Sequence, residues 1–159
     1  MHVYNSHRGQ LGLHLPDELL VDLFAGGGGV SISMETVFGR PVDIAVNHDA
    51  EAIGMHSINH PDTEHYCESV WEVDPIKACK GREVEWLHLS PDCTHHSKAR
   101  GGKPKSKEIR GLAWTGVKWG LLKEPKTISL ENVEEFKSWG PLLPTSRQAC
   151  PDNKGVTFK

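Results

Sequence analysis

Leu19-Leu20-Val21-Asp22-Leu23-Phe24 is a short, mostly apolar segment that runs through Ala25 into four consecutive glycines, Gly26-Gly27-Gly28-Gly29. Six residues is the length of a buried β-strand, and glycine allows the backbone to turn tightly after it. Apolar residues at positions 30, 34, 37 and 38 follow at helical spacing and stop before Gly39-Arg40-Pro41. The segment therefore predicts a strand, a glycine turn and a helix in succession.

The same alternation continues along the chain. Strands are predicted at residues 42–46, 84–89 and 127–130, a short third strand and turn at residues 67–73, and helices at residues 49–59 and 109–122. Strands that alternate with helices predict an α/β fold, a doubly wound and mostly parallel sheet with helices on both faces. In such sheets, ligands bind beyond the carboxyl ends of the strands.

Length and composition narrow the class of protein. A chain of 159 residues favours one domain. We expect a polar lead-in at residues 1–18, a domain at 19–140 and an irregular tail at 141–159. No apolar run approaches the ~18 residues that span a bilayer, and residues 1–10 lack a signal-peptide core, so the expected location is cytoplasmic. The net charge of −3 argues against a general nucleic-acid coat protein.

A cysteine lies in the segment after the strand at 84–89, Ser90-Pro91-Asp92-Cys93-Thr94-His95-His96-Ser97. Three interpretations remain open. Cys93 is a small buried hydrophobe, a zinc ligand together with His95 and His96, or a nucleophile whose thiolate is favoured by neighbouring cations. The zinc interpretation lacks an evident fourth ligand.

A basic stretch follows this cysteine, with Glu108 as its only acid. Its cations are Lys98, Arg100, Lys103, Lys105, Lys107 and Arg110. Such a run is either a solvated surface or a site for phosphate groups.

A third polar segment, Glu131-Asn132-Val133, directly follows the strand at 127–130. A carboxylate at the carboxyl end of a strand is typical of a site residue, although it also suits a helix cap. The glycine turn, the Cys93 segment and Glu131 are all predicted at the same edge of the sheet.

Together these segments resemble the cytosine-C5 DNA methyltransferases. The resemblance rests on DLFAGGGG (22–29), SPDCTHHSKARGG (90–102) and LENVEEF (130–136), with AVNHDAEAIGMHSINHP (45–61) and CESVWEVDP (67–75) between them. Order and spacing both fit, from about residue 20 to 141. Asp92 interrupts the usual Pro-Cys pair, as in a phage-like subtype of the family. The fold implied is the Rossmann-like sheet of S-adenosylmethionine-dependent methyltransferases.

The resemblance implies three catalytic residues. Cys93 adds to C6 of a cytosine flipped out of DNA, Glu131 protonates or hydrogen-bonds N3, and Asn132 holds the local geometry. The basic residues from Lys98 to Arg110 contact DNA phosphates.

The resemblance also implies S-adenosylmethionine as the cofactor. Its contacts are Asp22, Phe24, Ala25, Gly26, Gly28, Gly29, Asn47, His48, Ser69, Val70 and Pro91. Phe24 lies against the adenine or the sulfonium end, and Gly26 and Gly28 approach the methionine moiety. Asn47 and Ser69 stand where the family has acids, which implies weaker or altered cofactor binding.

No target-recognition half is visible after residue 141. We therefore expect a truncated or split enzyme whose partners are DNA and a second polypeptide that supplies this half. The alternatives are a non-catalytic module that binds S-adenosylmethionine and, from another class, a zinc deaminase-like protein built on Cys93, His95 and His96.

Overall fold

The computed structural model describes residues 18–91, 111–134 and 136. Five strands lie in this part of the chain: β1 (Leu19–Leu23), β2 (Ile44–Val46), β3 (Glu64–Tyr66), β4 (Val84–Leu89) and β5 (Thr127–Leu130). The described helices are α1 (Gly29–Phe38), α2 (Ala50–Asn59), α3 (Pro75–Cys79) and α4 (Trp114–Lys123).

The strands form one sheet in the order β3-β2-β1-β4-β5, and every pair is parallel. Chain order runs outward from β1 to one edge, through β2 and β3. It then crosses to the other side of β1 and continues through β4 and β5. The order in which the strands are added therefore reverses between β1 and β4. Open α/β sheets bind their ligands at this point of reversal.

Strand β1 is buried along its whole length. Leu19, Val21 and Leu23 belong to the main core, which also contains Trp119 of α4 and Cys79 of α3. The intervening Leu20 belongs to a second core with Met34 of α1. Because alternate residues of one strand enter separate cores, the helices cover both faces of the sheet, as a doubly wound fold requires.

The α/β prediction is confirmed, and most element bounds agree with it. The strands at 84–89 and 127–130 lie where they were predicted. The third strand was misplaced: β3 is Glu64–Tyr66, whereas residues 67–73 form turns and bends. Helix α3 was not predicted. It begins after Asp74, whose side chain accepts hydrogen bonds from the backbone N–H groups of Ile76 and Lys77.

None of the helices in the described ranges is both long enough and apolar enough to cross a lipid bilayer.

Candidate functional site

The end of β1 is joined to the end of β2. Phe24 turns the chain with a φ of 64°, in the left-handed region. The Ala25 N–H then donates to the Val46 carbonyl at 3.0 Å, and Asn47 Nδ2 donates back to the Ala25 carbonyl at 3.1 Å. These bonds fix where the glycine turn leaves the sheet.

The four glycines of this turn have different surroundings. Gly28 has a φ of +100°, and a Cβ there would lie 2.2 Å from His60 Nε2. A Cβ on Gly27 would lie 2.7 Å from Met55 Sδ. At Gly26 and Gly29, no atom of the described residues lies within 4 Å of such a position. The middle pair therefore packs against α2, and the outer pair borders open space.

The backbone N–H groups of Gly28 and Gly29 have no hydrogen-bond partner within the described residues. Gly29 begins α1, so its N–H lies at the positive end of the helix. Free N–H groups beside open space suit a carboxylate or phosphate of a bound molecule.

Asn47 and His48 follow β2 at the same edge. Asn47 Oδ1 accepts the backbone N–H of Asp49 at 2.9 Å, and its Nδ2 is bonded to Ala25. An amide oxygen has two lone pairs, so Oδ1 retains one acceptor position for a ligand hydroxyl. His48 is exposed.

Ser69 and Val70 follow β3. Val70 is buried in the main core. Ser69 is half-buried and accepts the Trp71 N–H at 3.4 Å through Oγ. The Ser69 carbonyl accepts the N–H groups of Glu72 and Val73. Its hydroxyl therefore belongs to a turn, and its hydrogen remains available to a ligand.

The ends of β4 and β5 are joined by Asn132. Its Nδ2 donates to the Pro91 carbonyl at 3.0 Å, and its Oδ1 accepts the Val133 N–H at 2.9 Å. Ser90 connects β4 to β1, because its N–H donates to the Leu23 carbonyl at 3.4 Å. Glu131 is exposed beside this junction.

The remaining predicted residues lie outside the described residues. These are Cys93, His95, His96, Lys98, Arg100, Lys103, Lys105, Lys107 and Arg110. Within the described ranges, no group of three or more His, Cys, Asp or Glu side chains is arranged to hold a metal ion.

A buried polar chain lies behind the glycine turn, and the sequence analysis missed it. Ser31 Oγ donates to Asp22 Oδ2 at 2.7 Å and lies 3.0 Å from His56 Nε2. His56 Nδ1 lies 2.8 Å from Nε2 of His65. The other oxygen of Asp22, Oδ1, is buried and has no hydrogen-bond partner among the residues that the structure describes.

Burial shifts two titratable members of this chain, Asp22 and His56, toward their neutral forms. It raises the pKa of Asp22 to about 6, against the lowering effect of the Ser31 hydroxyl. It also lowers the pKa of His56 to about 4, assisted by the nearby His60 and His65 rings. Asp22 is held beneath the turn by its bond to Ser31, and its predicted cofactor contact stays a prediction.

His60 is a second residue that the sequence analysis overlooked. Its Nδ1 lies 2.9 Å from Glu35 Oε1, its Nε2 lies 3.2 Å from the Gly28 carbonyl, and its side chain is 1% exposed. The neighbouring Asn59 donates from Nδ2 to the Gly27 carbonyl at 3.0 Å. The i, i+4 spacing of His56 and His60 places both rings on one side of α2, but it does not indicate which residues they face.

These features define a class of protein: a doubly wound α/β protein with a candidate ligand site at the carboxyl edge of its sheet. The model of the C-5 cytosine-specific DNA methylase family matches residues 19–139. The chain belongs to this family.

Two solved structures share the fold. One is described as a DNA modification methyltransferase encoded within an E. coli prophage, with 24% identity, a TM-score of 0.63, and coverage of 75% of this chain and 33% of that one. The other is a mutant of Spodoptera frugiperda DNMT2, with 21% identity, a TM-score of 0.53, and coverage of 76% and 37%. The chain thus spans about a third of the length of each. No curated protein matches it.

Proposed function

We propose that this chain is the catalytic half of a DNA cytosine-C5 methyltransferase, with S-adenosylmethionine as methyl donor. The observation that carries the proposal is the junction of Asn132 with Pro91 at the carboxyl edge of the sheet. It joins the two segments that resemble the family's catalytic motifs, and the glycine turn after β1 lies at the same edge.

The residues at this edge suit the cofactor. The free N–H groups of Gly28 and Gly29 would bind its methionine carboxylate, and open space at Gly26 and Gly29 gives access to the backbone. Asn47 Oδ1 would accept a ribose hydroxyl without the charge of a carboxylate. When bound, S-adenosylmethionine supplies an electrophilic methyl group.

The chemistry proposed for the chain's own residues begins at Cys93. Its thiolate forms a bond to C6 of cytosine, and the electron pair displaced from the C5–C6 double bond makes C5 nucleophilic. Glu131 holds a proton at N3 and so favours this addition. After C5 gains the methyl group, loss of the C5 proton expels the thiolate and restores the double bond. Asn132 contributes by holding Pro91, two residues before Cys93.

DNA contact is proposed for the basic residues between Lys98 and Arg110. Because the target atoms cannot be reached inside a duplex, the cytosine must first leave the stack. Phosphate contacts would position the backbone beside it and would carry no sequence information. Neutralising Lys103, Lys105 and Lys107 together should weaken binding to unrelated duplexes equally and flatten its salt dependence.

Sequence recognition is proposed to come from a further polypeptide segment. A groove of about 350 Å³ between α4 and β5 is consistent with such a partner. Its lining includes Leu121, which is 76% exposed, with Ile128 and Leu130 on the strand. An apolar surface of this kind at the edge of a sheet is typical of an interface.

The test is methyl transfer from labelled S-adenosylmethionine to mixed-sequence DNA, with and without the product of the adjacent downstream gene. Trapping on DNA that contains 5-fluorocytosine tests the nucleophile, because fluorine cannot leave C5 as a proton does. We expect a covalent adduct with the parent chain and none with Cys93→Ser.

Cys67→Ser and Cys79→Ser are the matched controls, and both should retain the adduct. An adduct that survives Cys93→Ser would refute the assignment of the nucleophile. Cofactor binding with no methyl transfer under either condition would instead identify a non-catalytic cofactor-binding module.

A further inference from the structure

The glycine turn is held from behind by two consecutive residues at the end of α2. Asn59 bonds the Gly27 carbonyl at 3.0 Å, and His60 bonds the Gly28 carbonyl at 3.2 Å. The Gly28 carbonyl also accepts the Ile32 N–H, the first hydrogen bond of α1. Both carbonyls of the turn therefore face protein donors.

The direction of these carbonyls determines the direction of the amides that follow them. In a trans peptide, the N–H of the next residue points opposite to the C=O. Holding the Gly27 carbonyl toward α2 turns the Gly28 N–H away from it. The Gly28 carbonyl has the same effect on the N–H of Gly29. Neither of these two N–H groups has a hydrogen-bond partner in the described part of the chain.

The contacts of His60 orient its ring between the turn and α1. A carbonyl oxygen only accepts, so Nε2 must carry a hydrogen to bond Gly28. The other ring nitrogen, Nδ1, lies 2.9 Å from Glu35 Oε1. Glu35 thereby connects the His60 ring to α1.

We propose that His60 is a positioning residue, which holds the glycine turn so that the N–H groups of Gly28 and Gly29 face the cofactor. The effect of His60 on the affinity for the cofactor rests on the proposed function. His60 does not touch the reacting atoms. It acts through Gly28, where a side chain would collide with its ring, and it is oriented by Glu35.

Two measurements test this role in the whole chain: the NMR amide signals of Gly28 and Gly29 without ligand, and the affinity for S-adenosylhomocysteine by calorimetry. His60→Phe keeps an aromatic ring but removes both ring nitrogens. It should shift both amide signals and weaken affinity about tenfold, the effect of ~1.4 kcal/mol. His60→Leu serves the same comparison if His60→Phe does not fold.

Two further variants separate positioning from stability. Glu35→Gln lets a neutral His60 keep its bond to Gly28, with the new amide donating to Nδ1, so affinity should stay within about threefold of the parent. Val42→Ala destabilises the core under α1 without touching the turn. It should lower the unfolding midpoint and leave both amide signals in place.

If the Gly28 and Gly29 amide signals of the His60 variants match those of Val42→Ala, His60 does not position the turn. If the signals shift but the parent chain binds no S-adenosylhomocysteine, His60 holds the turn as inferred and the proposed function fails instead.

Discussion

The Asn132 carboxamide donates to the Pro91 carbonyl across 3.0 Å, and this bond joins the segment after β5 to the segment after β4. The same carboxamide accepts the N–H of Val133. One side chain thereby fixes two segments that follow neighbouring parallel strands. The proposed nucleophile, Cys93, lies two residues beyond Pro91 in sequence.

Asn132→Asp tests this junction. A carboxylate still accepts the Val133 N–H but cannot donate to Pro91, and the two oxygens would repel. We expect adduct formation with 5-fluorocytosine DNA to slow by about 10–100-fold, because small misplacements of a reacting group are costly. Ser129→Ala is the control, since it breaks bonds between β4 and β5 away from Pro91. Equal rates in the two variants would count against a role for the junction.

Gly26→Ala and Gly28→Ala should differ sharply in stability. The alanine at 28 would need a φ of +100° and would meet the His60 ring, so we expect a loss of about 2–4 kcal/mol. The alanine at 26 meets nothing within 4 Å and should change stability by less than about 1 kcal/mol. Urea unfolding measures both, and similar midpoints would contradict the packing described at the turn.

Asp22 should make the folded state less stable as the pH rises from about 4 to 6. Burial raises its pKa to about 6 from the ordinary aspartate value of 3.8, so the folded state binds its proton more tightly than the unfolded chain. The stabilisation by this proton is complete at low pH and is lost by pH 6. The free energy of unfolding changes by on the order of 2–3 kcal/mol between these limits. Asp22→Asn should lack this component.

The measurement is denaturant unfolding of both proteins between pH 4.5 and 7.5. The stability of Asp22→Asn relative to the parent should increase with pH across the window from 4 to 6 and then level off. A difference that stays constant would mean that Asp22 ionises freely.

His56 should have the opposite effect on stability. Its pKa is lowered to about 4, so the unfolded chain takes up a proton that the folded state refuses. Its contribution to stability is fully present above the ordinary histidine pKa of 6.5 and is lost as the pH falls toward 4. In His56→Gln this loss should disappear, and thermal unfolding at pH 7.5 and 5 measures it. An unchanged acid sensitivity in the variant would exclude His56 as its source.

The sequence predicted the central strands well because their patterns are unambiguous. Leu19–Leu23 is mostly apolar and is soon followed by four glycines. Val84–Leu89 is a short segment rich in apolar residues beside charged neighbours. Glu64–Tyr66 was missed because an edge strand of three residues, EHY, has no apolar pattern and is held by its pairing with β2. Its position is a consequence of tertiary structure.

The site was predictable only where its residues are adjacent in sequence. The glycine turn and Glu131-Asn132 were found because each follows a strand directly. Asp22, Ser31, His56 and His65 come together only after the sheet has formed, since they lie on separate strands and helices. No spacing in the sequence indicates that His60 faces Gly28 across the turn.

The central place of β1 also has a consequence for synthesis on the ribosome. Three of its five buried residues, Val21 to Leu23, pair with β2, but all five pair with β4, which emerges only after β2 and β3. Translation adds ~5–20 residues per second, so the edge of β1 that pairs with β4 remains without its partner for several seconds. Nascent β1 is thus a natural binding site for chaperones, and translation speed between β2 and β4 should influence the yield of folded protein.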